Sequence, residues 1–222
     1  MSRSNPTPSN NSNPSVATIE WAATKNTFMA WDSVNKERVD IGKKVSFAIL
    51  DFRSAVSGFI KGRGVARCHE MKDLRKPIDV LLWKDGKSTP FMNGIYRDIK
   101  PELTSAGVKY RKIVYAMLTE DAGSIPAHSI VKFDLGGAAM GAFIECDFRE
   151  TDSVTVKEPL FVELNSMIKF YVPVFEKLEL DDEFAAAAEM ADRELQEYFD
   201  SFTDTAPKVE VNEQELEEPL PF

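Results

Sequence analysis

Four consecutive residues, Lys109, Tyr110, Arg111 and Lys112, set one aromatic ring among three bases. The same mixture recurs at Trp83-Lys84, Lys87, Phe91, Tyr96-Arg97 and Tyr115. Aromatic faces stack on unpaired bases while Lys and Arg follow the phosphates, so this mixture on strands is the chemistry of a sequence-tolerant binder of single-stranded nucleic acid. Any single aromatic more often fills a core, and Trp83, Phe91 and Tyr115 also have that plainer reading. Tyr110, flanked by charge on both sides, is the hardest of them to bury. A second basic stretch, KGRGVARCHEMKDLRK, runs from Lys61 to Lys76 and carries Arg63 and Arg67, with Gly62 and Gly64 allowing close backbone approach. It reads either as a loop wrapping a nucleic-acid strand or as a hairpin turn whose bases are merely solvated. The candidate contacts are Arg63, Arg67, Trp83, Lys84, Lys87, Tyr96, Arg97, Lys109, Tyr110, Arg111 and Lys112.

Catalytic chemistry has little to stand on. Gly136-Gly137-Ala138-Ala139-Met140-Gly141 has the glycine spacing of a phosphate loop, but no Lys-Ser/Thr follows and no helix is expected to open there. A tight β connection is the simpler reading. Only His69 and His128 are present, and no Ser or Cys lies in a nucleophile motif. Cys68, His69, His128 and Cys146 match no zinc spacing, so the two cysteines read as buried thiols in a reducing compartment. The acids of the first 175 residues are scattered and do not signal a two-metal site. The expectation is a protein that is not an enzyme and uses no metal or cofactor.

Charge divides the chain sharply. Residues 176–222 hold 16 acids and 3 bases, net −13, whereas residues 1–175 hold 20 acids and 24 bases, net +4. A mildly basic body followed by a strongly acidic end suits an anionic ligand and a segment that imitates it. The last ten residues, EQELEEPLPF, place Glu213, Glu215, Glu217 and Glu218 before Pro219, Leu220, Pro221 and Phe222. The prolines keep this tip extended, and an apolar plug beside a free carboxylate fits a basic, apolar pocket on a partner protein. The plainer reading is a solubilising acidic tail.

Positioning such groups falls to β structure. From about Ile19-Glu20-Trp21 to Phe175, short β-rich runs alternate with turn residues, the pattern of an antiparallel barrel or sandwich. Strands are expected at Lys44–Arg53, Val56–Lys61, Ile78–Lys84, Phe91–Arg97, Val108–Leu118, Ser129–Leu135, Ala142–Arg149 and Met167–Phe175. In the Ala142 run, Ala142, Ile144, Cys146 and Phe148 alternate with Glu145, Asp147 and Arg149 as a half-buried strand does. Val108–Leu118 begins polar on both faces and ends apolar on both, so it should leave a basic rim and enter the core. Asp181-Asp182-Glu183 followed by FAAAAEMADRELQEYFDSF predicts an amphipathic helix, acids in its first turn and Phe184, Ala188, Ala191, Leu195, Tyr198 and Phe202 on one stripe. The expected organisation is a disordered Ser/Asn/Pro-rich leader at 1–17, a β domain at 18–178, the helix at 179–203 and a flexible acidic tail at 204–222. No apolar run approaches a membrane span and the leader has no apolar h-region, which reads as cytoplasmic.

The tip EEPLPF resembles the acidic C-terminal tail of bacterial and phage single-stranded DNA-binding proteins, which docks replication and repair partners. GVKYRKIVYAM (Gly107–Met117) and KFYVPVFE (Lys169–Glu176), followed by an acidic amphipathic helix, are similar to a bacteriophage group of these proteins. With the tip, these segments cover about a third of the chain. The resemblance implies an OB-fold, a Greek-key barrel whose strand face and loops bind oligonucleotide. It implies a role in DNA replication, recombination and repair, with polymerase, primase or helicase reading the tip, a homodimer as one assembly, and host cytoplasm as the location of a phage-encoded chain. The longer polar leader, the helix before the tail and the extra strands depart from the compact bacterial type. Three other readings share parts of this pattern: a strand-annealing recombination mediator, a virion or scaffold interaction protein that does not bind DNA, and a metal-dependent nuclease.

Overall fold

Turn residues divide the chain into short extended runs, and the computed structural model, which describes residues 13–32 and 35–203, shows how those runs pair. Strands β1 (Ala17–Ala22), β2 (Thr27–Asp32) and β3 (Glu37–Gly42) form an antiparallel meander. Asn26 holds the first turn at φ 57°, a region that Asn tolerates better than most residues. Then come β4 (Ser46–Ile60), β5 (Gly64–Cys68), β6 (Pro77–Lys84), β7 (Lys87–Ile95), helix α1 (Tyr96–Ser105), β8 (Lys109–Leu118) and β9 (Ile130–Leu135). Helix α2 (Gly137–Glu145), β10 (Ser153–Glu163), β11 (Lys169–Leu178) and helix α3 (Asp182–Thr203) complete the described elements. No helix among the described residues is long and apolar enough to cross a membrane.

The fold is mainly β and barrel-like. β1, β9, β8, β4, β10 and β11 pair in that order, β10 returning to β4 after α2 in a Greek-key step. The path closes on itself where the Tyr171 amide of β11 donates to the Ala23 carbonyl beyond β1 at 2.9 Å and the Trp21 indole donates to the Tyr171 carbonyl at 2.9 Å. One pair departs from the antiparallel expectation: β1 and β9 run parallel, which the more than one hundred residues between them permit. Ile19, Phe28, Phe47, Val114, Val131, Phe133, Val154 and Phe175 fill the interior, and the Phe47 and Phe133 rings lie 4.4 Å apart between centroids.

Strand β4 organises the rest. The expected strands Lys44–Arg53 and Val56–Lys61 are one 15-residue strand, carried through Ser54, which exchanges both backbone bonds with Met71. A bulge between Ile49 and Asp51 resets its alternation. Before it, Phe47 and Ile49 point into the barrel; after it, Phe52 does, leaving Arg53, Ala55 and Ser57 on the outer face. Beyond the barrel, β5, β6, β7 and α1 form an annex around Val56, Ala66, Ile78, Val80, Leu103 and Val108. Ile113, Tyr115, Met117 and Ile130 on the outer face of β8 and β9 are covered by Ala191 and Leu195 of α3, with Phe184, Ala188, Tyr198 and Phe199 packed around them.

Two local expectations are corrected. Residues 142–149 are not a strand, and a helix does open after Gly136: α2 starts there with Gly136 extended at its N-cap. Ala138, Ala139 and Met140 favour helix strongly, and Ala139 and Phe143, one turn apart, supply the buried face. Phe143 plugs the barrel end against Phe52, Phe148 and Phe175, while Ile144 stands 53% exposed, so the alternation seen in the sequence reports no strand face. Likewise β7 ends at Ile95, and Tyr96-Arg97 begin α1 instead of continuing a strand.

Candidate nucleic-acid interface

Sequence pairing brings one side chain after another onto the outer face of the sheet. Thr18 and Lys132 are register partners across β1 and β9, as are Lys132 and Tyr115 across β9 and β8. Asp134, Ile113 and Arg53 form the next row, Ser57, Arg67 and Leu81 another, and Val65 and Trp83 the last. With Trp31 and Arg38, themselves cross-strand partners, these residues line an open groove of about 1060 Å³ that crosses β3, β2, β1, β9, β8, β4, β5 and β6 in spatial order. The C-terminal turns of α3 border it through Gln196, Tyr198, Phe199 and Asp200.

The groove is basic and its bases are held in place. Arg38, Arg53, Arg67, Lys72, Arg111 and Lys132 face Glu20, Glu70, Asp134 and Asp200. Arg38 pairs with Glu20 at 2.8 Å. Arg111 donates through Nε to the Asp134 carboxylate at 2.6 Å and through Nη2 to the Asp134 backbone carbonyl at 3.0 Å. Arg53 Nε donates at 2.7 Å to Asp51, whose side chain has no exposed surface and which also accepts from Lys72 at 2.9 Å. That last bond holds the Lys72 ammonium above its ordinary pKa, so Lys72 stays charged. Lys132 and the Tyr115 hydroxyl donate to the two oxygens of Glu70 at 2.7 and 2.6 Å, and burial followed by the Glu70 charge pushes the Tyr115 phenol up. Arg67 differs: it lies 4.6 Å over the Trp83 ring and has no ion pair among the described residues. Flat π faces beside fixed cations suit stacked, unpaired bases with their phosphates.

Of the residues singled out from sequence, Arg67, Trp83 and Arg111 come together in this groove. Lys109 shares the Arg111 face of β8 one step outward, opposite Ser57. Arg63, Lys84 and Lys87 cluster at the hairpin tips beyond Trp83, Arg63 lying 5.3 Å over Phe91 and Lys84 reaching the Gly62 carbonyl at 3.4 Å. The basic stretch at Lys61–Lys76 is therefore partly a strand, β5, with a tight turn before it. Tyr110 and Lys112 project from the opposite face of β8. There Tyr110 shares a 2.9 Å hydroxyl hydrogen bond with Ser54 and packs on Tyr96, while Lys112 sits 4.3 Å over Phe52, its pKa pulled down by burial. Arg97 lies on α1 beside Asp98. Glu213, Glu215, Glu217, Glu218, Pro219, Leu220, Pro221 and Phe222 lie outside the described residues.

Sequence reasoning missed Trp31, Arg38, Arg53 and Lys132. The first two sit on strands β2 and β3, whose only local signals are the short runs TFMAWD and ERVDIG around polar turns. Phe59, 70% exposed on the same face as Val65 and Trp83, extends the apolar surface past the groove. Among the described residues no three His, Cys, Asp or Glu side chains gather as a metal site. Cys68 is packed in the annex, its sulfur accepting from the Val56 amide at 3.2 Å, and burial raises its thiol pKa. Compared with known proteins, the chain matches no family model, no curated protein and no solved structure.

Proposed function

We propose that this chain is a non-catalytic, sequence-tolerant binder of single-stranded DNA that coats and protects replication or recombination intermediates. The observation that supports it best is the groove itself: positioned Arg and Lys side chains with Trp31 and Trp83 among them, crossing eight strands of one sheet. A duplex offers phosphates but hides its base faces, so partly exposed indole rings gain stacking contacts only from unpaired bases. The charge division of the chain extends the reading. The net −13 end competes with phosphate for the basic body, DNA releases it, and the tip from Glu213 to Phe222 then recruits a polymerase, primase or helicase.

Titration of tryptophan fluorescence with an unstructured single strand and with its duplex, over a salt series and with and without Mg²⁺, tests the proposal. The expected result is tight, salt-sensitive binding that prefers the single strand and leaves it uncut. Equal, weak binding to both forms would make the groove cations surface decoration, and a cleaved product would make the chain a nuclease.

A further inference from the structure

Arg53 and Tyr115 form a pair of planar groups fixed from behind. Arg53 is only 15% exposed and is locked to the buried Asp51, and Tyr115 is tied through its hydroxyl to Glu70, itself held by Lys132. Between them sits one ring, that of Phe199 from α3: the Arg53 guanidinium carbon lies 3.6 Å from its centroid, and the Tyr115 ring meets it edge to face at 5.2 Å. A flat guanidinium over a π face with an aromatic edge beside it is also the environment in which proteins hold an unpaired nucleobase. This position lies in the middle of the groove, in the row of Ile113 and Asp134, with Arg111 and Lys132 close enough in register to take the flanking phosphates.

Phe199 is held in this position by stacking contacts with Arg53, Tyr115 and Tyr198 and is only partly buried. Among the described residues Leu195 is the last fully buried anchor of α3, and Tyr198 and Phe199, both only partly buried, are those beyond it that pack on the outer-face cluster. The last turns of α3 bring Asp200 and no base to a basic groove, a negative charge that a phosphate can replace.

We propose that the position between Arg53 and Tyr115 is a base-stacking site, occupied by Phe199 in the free protein and taken over by a base of the incoming single strand, with residues 196–203 leaving the groove as the base enters. This rests on the single-strand reading above and adds to it a defined site and a coupling: binding in the groove frees the end of α3 and, with it, the chain that follows. Leu195 and the residues before it stay docked, so Met117, Ile130 and the rest of the outer-face cluster away from Tyr115 remain covered.

The test uses the full chain and an oligothymidylate of about 15 nucleotides. Amide hydrogen exchange is followed with and without oligonucleotide, and affinity is compared for the parent chain and Phe199→Leu, which keeps apolar bulk but removes the ring. The expected result is faster exchange in 196–203 on binding, slower exchange in β8 and β4, and an affinity about three- to tenfold tighter for Phe199→Leu. A thermal melt of Phe199→Leu confirms that it is folded; if it is not, exchange on the parent chain decides alone. Binding with unchanged or slower exchange in 196–203 would overturn the site and leave the single-strand reading intact. No binding by the parent chain would overturn both.

Discussion

Replacing Arg67 with Gln separates a free cation from the paired ones beside it. Arg67 stacks on Trp83 and has no carboxylate partner among the described residues, whereas Arg111 is bound twice to Asp134. A phosphate contact on a single strand adds about 0.7 to the slope of log affinity against log salt. Arg67→Gln should therefore flatten that slope by about 0.7. Between about 50 and 200 mM salt, a fourfold range, one such contact changes affinity by about 2.6-fold, so the loss in Arg67→Gln should be about 2.6 times greater at the lower salt. Arg111→Gln should flatten the slope by less than half as much, because Asp134 already neutralises the guanidinium and is released as the arginine is lost. The stacked pair contributes only about 0.5–1 kcal/mol at such an exposed position, a shift of about 1–4 °C in Tm for a chain of this size, so both variants remain folded. Fluorescence titration of each variant at four or more salt concentrations reads the slopes directly. An unchanged slope in Arg67→Gln with a full 0.7 loss in Arg111→Gln would refute the assignment of Arg67 as the free phosphate contact.

Further expectations concern the groove, its support and the acidic end. The seven gaps between the eight strands it crosses, at about 4.8 Å each, reach about 34 Å, so one chain should occlude no more than about ten nucleotides at a base spacing of about 3.4 Å; stoichiometric titration giving a larger site would mean that other surfaces take part. Gly64 has φ +121°, and a Cβ there would lie 2.2 Å from the Trp83 carbonyl, so Gly64→Ala should cost about 1–3 kcal/mol by calorimetry and weaken oligonucleotide binding by displacing Trp83. Asp40, held chiefly by the Thr27 hydroxyl, and Asp152, held chiefly by the Arg149 amide and then by Lys177, both have pKa values below the ordinary 3.8. A lowered carboxylate pKa contributes stability that is fully present above the unfolded value and lost as pH falls through the folded one, so denaturant midpoints should drop from about pH 4 downward and stay flat above about pH 5. Removing residues 213–222 should raise DNA affinity at low salt and abolish partner binding; unchanged affinity would refute the competition between tail and DNA.

How far the sequence reveals this molecule depends on how local each signal is. Val108–Leu118 reads correctly because its polar start and apolar end lie in one eleven-residue run, and β8 does go from exposed to buried along its length. The stripe of α3 reads well for the same reason: Phe184, Ala188, Ala191, Leu195 and Tyr198 do lie on the packed face. The groove is less legible because its members meet through strand register. Arg53 faces outward only because one residue bulges at Leu50, and nothing in SFAILDFRS announces that shift. The quartet from Lys109 to Lys112 looked like one patch, but successive residues of a strand point to opposite faces, which sends Arg111 to the groove and Tyr110 to Ser54. In α2, small residues with apolar neighbours satisfied both strand and helix periods, and the need to plug the barrel end with Phe143 settled it.

Strand β4 contributes Phe47 and Ile49 to the barrel interior, Leu50 and Ala55 to the face under α3, and Val56 to the annex. The three apolar clusters thus share one continuous spine instead of being linked by a hinge. Residues 61–108 therefore cannot be excised as a self-standing module, nor the barrel trimmed to a minimal form, without cutting β4 and opening all three clusters together. Evolutionary or engineered change in this protein is pushed toward side-chain substitution along the groove and variation at the ends of the chain, away from exchange of whole parts.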